Sequence, residues 1–487
     1  MPALLPPPPS AAARLLAPTV PHLARLLLTH APAIPPLLTA ILPTSPSLLT
    51  PLLSHLLLSH SPPLPALTLF RRLLDLPHSQ LPESSLPVLL RLLARSRRHA
   101  PLSFQLLDTL PSTHPHLLSV PALSVLLSTA LNASAPGASF AAAVTRFESA
   151  AAVWARAGRS FGASELNALL RVFCARGRVA EARALFHRFR DAYPPDTRTF
   201  NTLLLGFKEA GHAQALDLFY HDAVLRGFVP DAVSYCVRMD ALCKKGRFLD
   251  ALHLLDEMRS KDCEPTLQVY TTLIYGAGIA RDAARARRLF DEMEQCGGVA
   301  PDRGAHNALM GAYVRAKDLQ SGMALMGEME RKGIGLDDVT YNTMLCGFRR
   351  VGDLEGIWKI YSKMISSGFV PRTRTTMLLM KVFCENGRPD LGLELWDYLI
   401  GKGCVPHRHA LDVLVTGLCC RDVVGEAYRC FREMIEMGMA PTERAFGVLE
   451  GFLKKKREFG KIEEIRQMMK AAQVEEHQTE EEEEEAA

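Results

Sequence analysis

The sequence predicts an all-α protein, a superhelical α-solenoid of stacked helix-turn-helix repeats, and three recurrences predict it. Prolines stand at Pro195, Pro230, Pro265, Pro301, Pro371, Pro406 and Pro441, separated by 35, 35, 36, 70, 35 and 35 residues. Methionines recur at Met258, Met293, Met329, Met364 and Met434, with Leu399 in the intervening place, and glycines at Gly333, Gly368, Gly403 and Gly438. Three residue types sharing one period mark a chain built from one supersecondary unit. The 487 residues would otherwise suggest about three globular domains, and the period replaces that count.

The first element in chain order is a leader. From Met1 to Leu74 there is no Asp or Glu, while Arg14, Arg25, Arg71 and Arg72 supply positive charge among Ala, Ser and Leu. That composition fits an organelle transit peptide, and no continuous apolar core with a small-residue cleavage site suggests secretion. The leader is richer in Leu and Arg than in Ser and Thr, which favours the mitochondrion over the plastid. The stretch between Arg25 and Arg71 is uncharged, but prolines such as Pro43, Pro46 and Pro51 cut it well short of the ~20 apolar residues a spanning helix needs. Residues 1–45 are assigned to the leader and 46–162 to degenerate helical repeats, with helices expected at Pro65 to Leu74, Leu86 to His99 and Ala122 to Ser134.

From residue 163 the pattern is regular. Val339 to Phe348 has helical apolar spacing, a turn follows near Gly352, and Leu354 to Ile365 is a second amphipathic segment before Gly368 and Pro371. Glycine supplies the left-handed residue that ends a helix and proline prevents its resumption. A lone hairpin cannot bury its apolar faces, so neighbours must stack. Eight units result: 163–196, 197–231, 232–266, 267–302, 303–337, 338–372, 373–407 and 408–442. Residues 443–472 are expected to cap the stack, and 473–487, ending EEEEEAA, to form a solvated acidic tail.

Composition excludes several classes. Mean hydropathy is +0.05 and 48% of residues are hydrophobic, so wholesale disorder is ruled out. All 11 cysteines lie from Cys174 onward, without a CxxC pair, which speaks for a reducing compartment. Cys174, Cys243, Cys384 and Cys419 share the twelfth place of their units and read as small packing residues. His407 and His409 form HxH, but no PCxxC follows, and no acidic cluster suits a metal nuclease. The expectation is a non-enzyme with no cofactor, no metal and no small-molecule substrate. Net charge is +4, divided as +7 over 1–162, +2 over 163–442 and −5 beyond.

The phrases VTYNTMLCGF with Asn342, AVSYCVRMDALCKKGRFLDALHLLDEMRSK from Ala232, and TRTFNTLLLGFKEAGHAQALDLF from Thr197 resemble the pentatricopeptide repeat family, in its plain subclass of constant unit length. The tetratricopeptide alternative lacks its W-x₂-L-G-x₂-Y opening here. The resemblance implies recognition of single-stranded RNA, one base per repeat, by the fifth and last residues of each unit. On this chain the pairs are Asn167 with Asp196, Asn201 with Asp231, Cys236 with Thr266, Thr271 with Asp302, Asn307 with Asp337, Asn342 with Arg372, Met377 with His407, and Asp412 with Thr442. Asn with Asp resembles the uracil combination and Thr with Asp the guanine one, implying a core 5′-U-U-N-G-U-3′; the last three pairs match no readable combination. Helix capping is the competing role for each Asp. Phosphate contacts are assigned to Lys208, Lys244, Lys245, Arg315, Arg349 and Arg350, with an ordinary solvated face as the alternative. Val233 and Val339, second in their units, are placed either between bases or in the core.

The functional expectation is an organellar RNA-binding adaptor serving transcript processing, stabilisation or translation. Its alternative is a protein-interaction stack attached to an organellar ribonucleoprotein such as the ribosome.

Overall fold

The computed structural model describes residues 20–29, 34–76, 80–96, 98–133, 136–296 and 300–470, which contain helices and no strand. The start of the leader and the acidic tail lie outside them. The chain divides into two compact units, one reaching to Val229 and one starting at Pro230.

The hairpin at 338–366 shows why these residues fold as they do. Asp337 caps the helix Asp338–Val351 by accepting from the Thr340 amide, and Gly352 ends it with φ 79°. The Asp353 amide reaches back to the Phe348 carbonyl at 3.0 Å, satisfying an end group the helix leaves open. Asp353 then caps Leu354–Ser366, which Gly368 closes at φ 72°. Gly333, Gly403 and Gly438 take the same left-handed conformation at the same place in their repeats. Any side chain there would be strained, so the glycine period is a backbone requirement.

In the unit from Pro230, first helices begin at Ala232, Leu267, Arg303, Asp338, Thr373, Arg408 and Glu443, each the first residue of its period. Every first helix packs on the first helix of the next repeat as well as on its own second helix. Between these rows lies one continuous core holding Tyr235, Phe290, Tyr341, Trp396 and Phe431. Each such side chain, fully buried, contributes on the order of 1.5–3 kcal/mol. Glu443–Lys455 and the helix over 459–470 end the row with Leu449, Leu453, Ile465 and Met469 buried.

The unit up to Val229 holds the repeats at 163–196 and 197–229 and the more divergent helices before them. Those helices keep the same arrangement: Leu49–Leu58, Ser85–Ala94, Val120–Ala133 and Ala163–Cys174 pack successively on one another. Their starts at Leu49, Ser85 and Val120 lie 36 and 35 residues apart. Side chains bridge at the same interval, as where the Arg95 guanidinium donates to His60 Nδ1 at 2.9 Å. The stack begins earlier than residue 46, because Val20–Thr29 and Pro36–Thr44 bury Leu23, Leu27, Leu38 and Leu42. No single described helix is long and apolar enough to cross a membrane, and the apolar pair Pro36–Thr44 and Pro46–Leu58 is bent by 111° at its break.

Neighbouring first helices approach through small residues. A Cβ on Gly206 would lie 2.5 Å from Cys174 Sγ, and Gly276 and Gly417 face Cys243 and Cys384 in the same manner. At Gly347 the facing side chain is Val314, 3.0 Å from the site of a Cβ. The tenth residue of one repeat thus leaves room for the twelfth of the repeat before. Burial pushes the thiols of Cys174 and Cys384 up to about 11 and that of Cys243 to about 12, which keeps them protonated.

Candidate nucleic-acid interface

The fifth residue of a repeat lies one turn into its first helix, and the last residue caps the first helix that follows. Stacking brings the two together. In the repeat at 303–337, Asn307 Nδ2 donates to Asp337 Oδ1 at 3.2 Å. Asp337 Oδ1 also accepts from the Thr340 amide and hydroxyl, both at 2.9 Å, and the same hydroxyl lies 2.8 Å from Asn307 Oδ1. Asn307 is half-buried, so its amide is held in place and still reachable. Capping and pairing are therefore the work of one carboxylate.

The pair Asn167 and Asp196 has the same bond, Nδ2 to Oδ1 at 3.1 Å, with the Thr199 amide and hydroxyl on that oxygen. Burial pushes the Asp196 carboxyl up, but the bonds from Asn167 and Thr199 outweigh it and hold it below its ordinary value of 3.8. Asp337 is held low by Thr340, Asn307 and Arg303 in the same opposition to burial. Unlike Asn307, Asn167 is only 1% exposed, and its Oδ1 is enclosed without a hydrogen-bond partner among the described residues. Burial runs unbroken from Glu165 to Leu170 on that helix, which is covered on more than one face.

The other pairs differ. Asn201 is half-buried, and Asp231 accepts from the Ser234 amide as a cap; the two belong to different compact units. Asp302 caps its helix through the Ala305 amide, while the Thr271 hydroxyl donates to the Leu267 carbonyl of its own helix at 2.8 Å. Asn342 is half-buried, and Cys346 Sγ lies 3.9 Å from its Oδ1. Arg372 brings no carboxylate to its helix start, and Asp338 instead accepts from the Arg372 amide at 3.0 Å and the Thr375 hydroxyl at 2.9 Å. Cys236 Sγ sits beside the Thr272 hydroxyl at 3.4 Å, and Met377 is half-buried against the core. Asp412 and Thr442 are joined as the Asn–Asp pairs are, with roles exchanged: the Thr442 hydroxyl donates to Asp412 Oδ1 and also caps the next helix. His409 Nδ1 lies 3.1 Å from the other oxygen of Asp412.

The cations divide. Lys208, its side chain 13% exposed, pairs with Glu209, and Lys244 pairs with Asp240 at 3.1 Å, so both already neutralise a carboxylate of their own helix. Arg315 lies over the Tyr275 ring, 4.7 Å from its centre, as a planar cation on an aromatic face. Lys245, Arg349 and Arg350 are exposed, and the latter two make no ion pair among the described residues. The second residue of every repeat is exposed, from Ser164 and Arg198 to Arg374 and His409, with Val233 at 54% and Val339 at 55%. Those valines are not core residues.

Sequence reasoning missed the hydroxyl at the third place, Thr199, Ser234 or Thr340, which completes each cap. Its signal was a short polar residue three after the last Asp of the preceding repeat. It also missed Asp338, which opens the repeat that Arg372 closes and bonds across to Thr375 of the next repeat.

Family models described as PPR repeat family match residues 230–278 and 301–350, and models described as PPR repeat match 166–192, 268–298, 339–369, 375–404 and 411–439. The pentatricopeptide repeat-containing protein At3g61360 of Arabidopsis thaliana is 38% identical over 417 residues, covering 85% of this chain and 82% of that protein. Two further Arabidopsis thaliana relatives with pentatricopeptide repeat names are At5g15010, named mitochondrial, 25% identical over 60% of this chain and 50% of its own, and At3g09650, named chloroplastic, 30% identical over 46% and 29%. Among solved structures, the pentatricopeptide repeat protein PPR10 in complex with an 18-nt psaJ RNA element aligns over 93% of this chain and 78% of its own, at 19% identity and a TM-score of 0.38.

Proposed function

The chain belongs to the pentatricopeptide repeat family, and we propose that it binds single-stranded RNA along its first helices, reading bases with the fifth and last residues of its repeats. The observation that carries this reading is Asn307 tied to Asp337 and Thr340 yet half-exposed. An amide held in this way presents one donor and one acceptor in a fixed plane, which matches the N–H and carbonyl edge of uracil. Exposed second residues such as Val339 flank that edge and offer a surface for base faces. The RNA complex named for PPR10 agrees with this ligand class.

The protein acts by occupying a strand: it blocks nucleases, opens structured leaders or recruits processing and translation factors, and carries no reaction of its own. Its repeat lengths, close to 35 residues throughout, support a reading in the plain subclass. We place it in an organelle, the mitochondrion before the plastid, on the acid-free N-terminal stretch and the organellar names of its relatives.

The test is a titration of the full chain with RNA containing UUNGU and with a scrambled strand, at two salt concentrations. Tighter binding of the first strand at both is expected. Equal affinity for the two, or none, overturns base reading and supports the protein-interaction alternative.

A further inference from the structure

A groove of about 540 Å³ runs between the first helices Ser85–Ala94, Val120–Ala133 and Ala163–Cys174, at the boundary where the divergent repeats meet the repeat that carries Asn167 and Asp196. Arg91, Arg95 and Arg171 line it, with the hydroxyls of Ser124 and Ser128 and the amide of Asn132, and no lining residue is acidic. Its size is that of sites that hold small ligands.

The arginines around it are sorted by use. Arg159 donates to the carbonyls of Pro115, His116 and Leu118, Arg146 covers the Phe104 ring at 4.0 Å, and Arg178 pairs with Glu181. Arg176 donates to the Ser128 carbonyl and to Asn132 Oδ1 at 2.9 Å, which fixes Asn132 and leaves its amide nitrogen as the group to offer. Arg91 and Arg171, by contrast, are exposed and make no side-chain hydrogen bond or ion pair among the described residues, and Arg95 touches only the neutral acceptor of His60. Uncompensated guanidinium groups converging on one groove are matched by phosphate oxygens, which they meet in a fork geometry.

The corresponding groove between Thr373–Glu385 and Arg408–Cys420 makes the contrast. It is lined by Lys381, Arg421 and Arg444, but also by the carboxylates of Glu385 and Asp412. Its two carboxylates offset two of its three cations.

We propose that the groove of Arg91, Arg95 and Arg171 binds the phosphodiester backbone of the RNA strand on the 5′ side of the segment read by the later repeats. This rests on the RNA-binding reading above and adds to it a contact that depends on charge and not on base identity. The divergent repeats thereby keep a function after losing their reading pairs.

The test uses the full chain, with UUNGU-containing RNA alone and with a five-nucleotide oligoadenylate extension at its 5′ end. The extension is expected to tighten binding by about tenfold and to steepen the slope of log affinity against log salt by about 2, from three phosphates at ~0.7 each. The triple variant Arg91→Gln, Arg95→Gln and Arg171→Gln should lose both gains and keep the affinity for unextended RNA. These residues are exposed, and an unchanged melting curve checks that the variant folds. If unextended RNA is bound and the extension adds nothing, the groove proposal fails alone; if the wild type binds no RNA, both readings fail. Binding of AMP that the triple variant abolishes, without any gain from the extension, would make this a free-nucleotide site and overturn the strand contact.

Discussion

Asn167 and Asn307 occupy the same place in their repeats and make the same bond to a capping carboxylate, but only one of them is reachable. Asn307 is half-buried with its oxygen beside Thr340, whereas Asn167 is sealed at 1% exposure with its oxygen unpartnered. Identity at two positions therefore does not make two equal readers. What separates them is the covering of the helix that carries the residue, since Ala163–Cys174 is buried without a break around Asn167 and Arg303–Ala316 leaves a gap at Asn307.

The sharpest way to break this comparison is to truncate both. Asn307→Ala is expected to cost ~1–3 kcal/mol of RNA affinity, roughly five- to 150-fold, on strands carrying uracil at its position, measured by titration. Asn167→Ala should change affinity less than twofold. Equal losses would show that burial in the free protein does not decide which repeats read.

The helix spacing beside each pair gives the next largest effect. Gly206→Ala and Gly347→Ala force a methyl against Cys174 and against Val314 with Leu319, and overpacking of this kind costs ~1–3 kcal/mol of stability by denaturant titration. At the first site Cys174→Ala should restore part of the loss when combined with Gly206→Ala, because it removes the sulfur and leaves a Cβ 2.9 Å away. A combination that melts as low as Gly206→Ala alone would refute the contact.

Removing the caps treats the two pairs alike in stability and differently in binding. Asp196→Ala and Asp337→Ala should each cost about 1 kcal/mol, because each deletes an N-cap. Only Asp337→Ala should weaken RNA binding.

The smallest effect is on pH dependence. Both carboxyls are held below 3.8 in the folded chain, so their contribution is complete above that value and is lost as pH falls through the lower folded values. Denaturation measured from pH 6 to pH 2 should show a decline below about pH 4 that the variants Asp196→Asn and Asp337→Asn make shallower.

Much of this was legible because the repeat writes its own punctuation. Proline and glycine mark chain geometry that few other residues tolerate, and first helices begin where the period places them, as at Thr197, Leu267 and Asp338. Upstream the punctuation fades: leucine fills helix faces and turns alike, and Ala100–Thr113, with Pro101 in its first turn, is not among the expected helices. The site was legible as a set of paired positions and not as accessibility. Nothing in the letters around Asn167 records that it is enclosed, which depends on helices tens of residues away. Arg372 and Thr442 were unreadable as bases but have clear structural parts, one served by Asp338 and the other bonded to Asp412. Those parts appear only once two repeats are placed side by side.

The glycine that receives a neighbour's sulfur at Cys174 and Gly206 bears on distance. Packed helices lie about 8–10 Å apart, while stacked nucleotides advance only about 3.4 Å along a strand. A strand measured off once per hairpin must pull its bases apart at every step, and any stem it belongs to has to melt first. Under the proposed reading, the small side chains between repeats act as the graduations of a ruler that accepts RNA only when stretched.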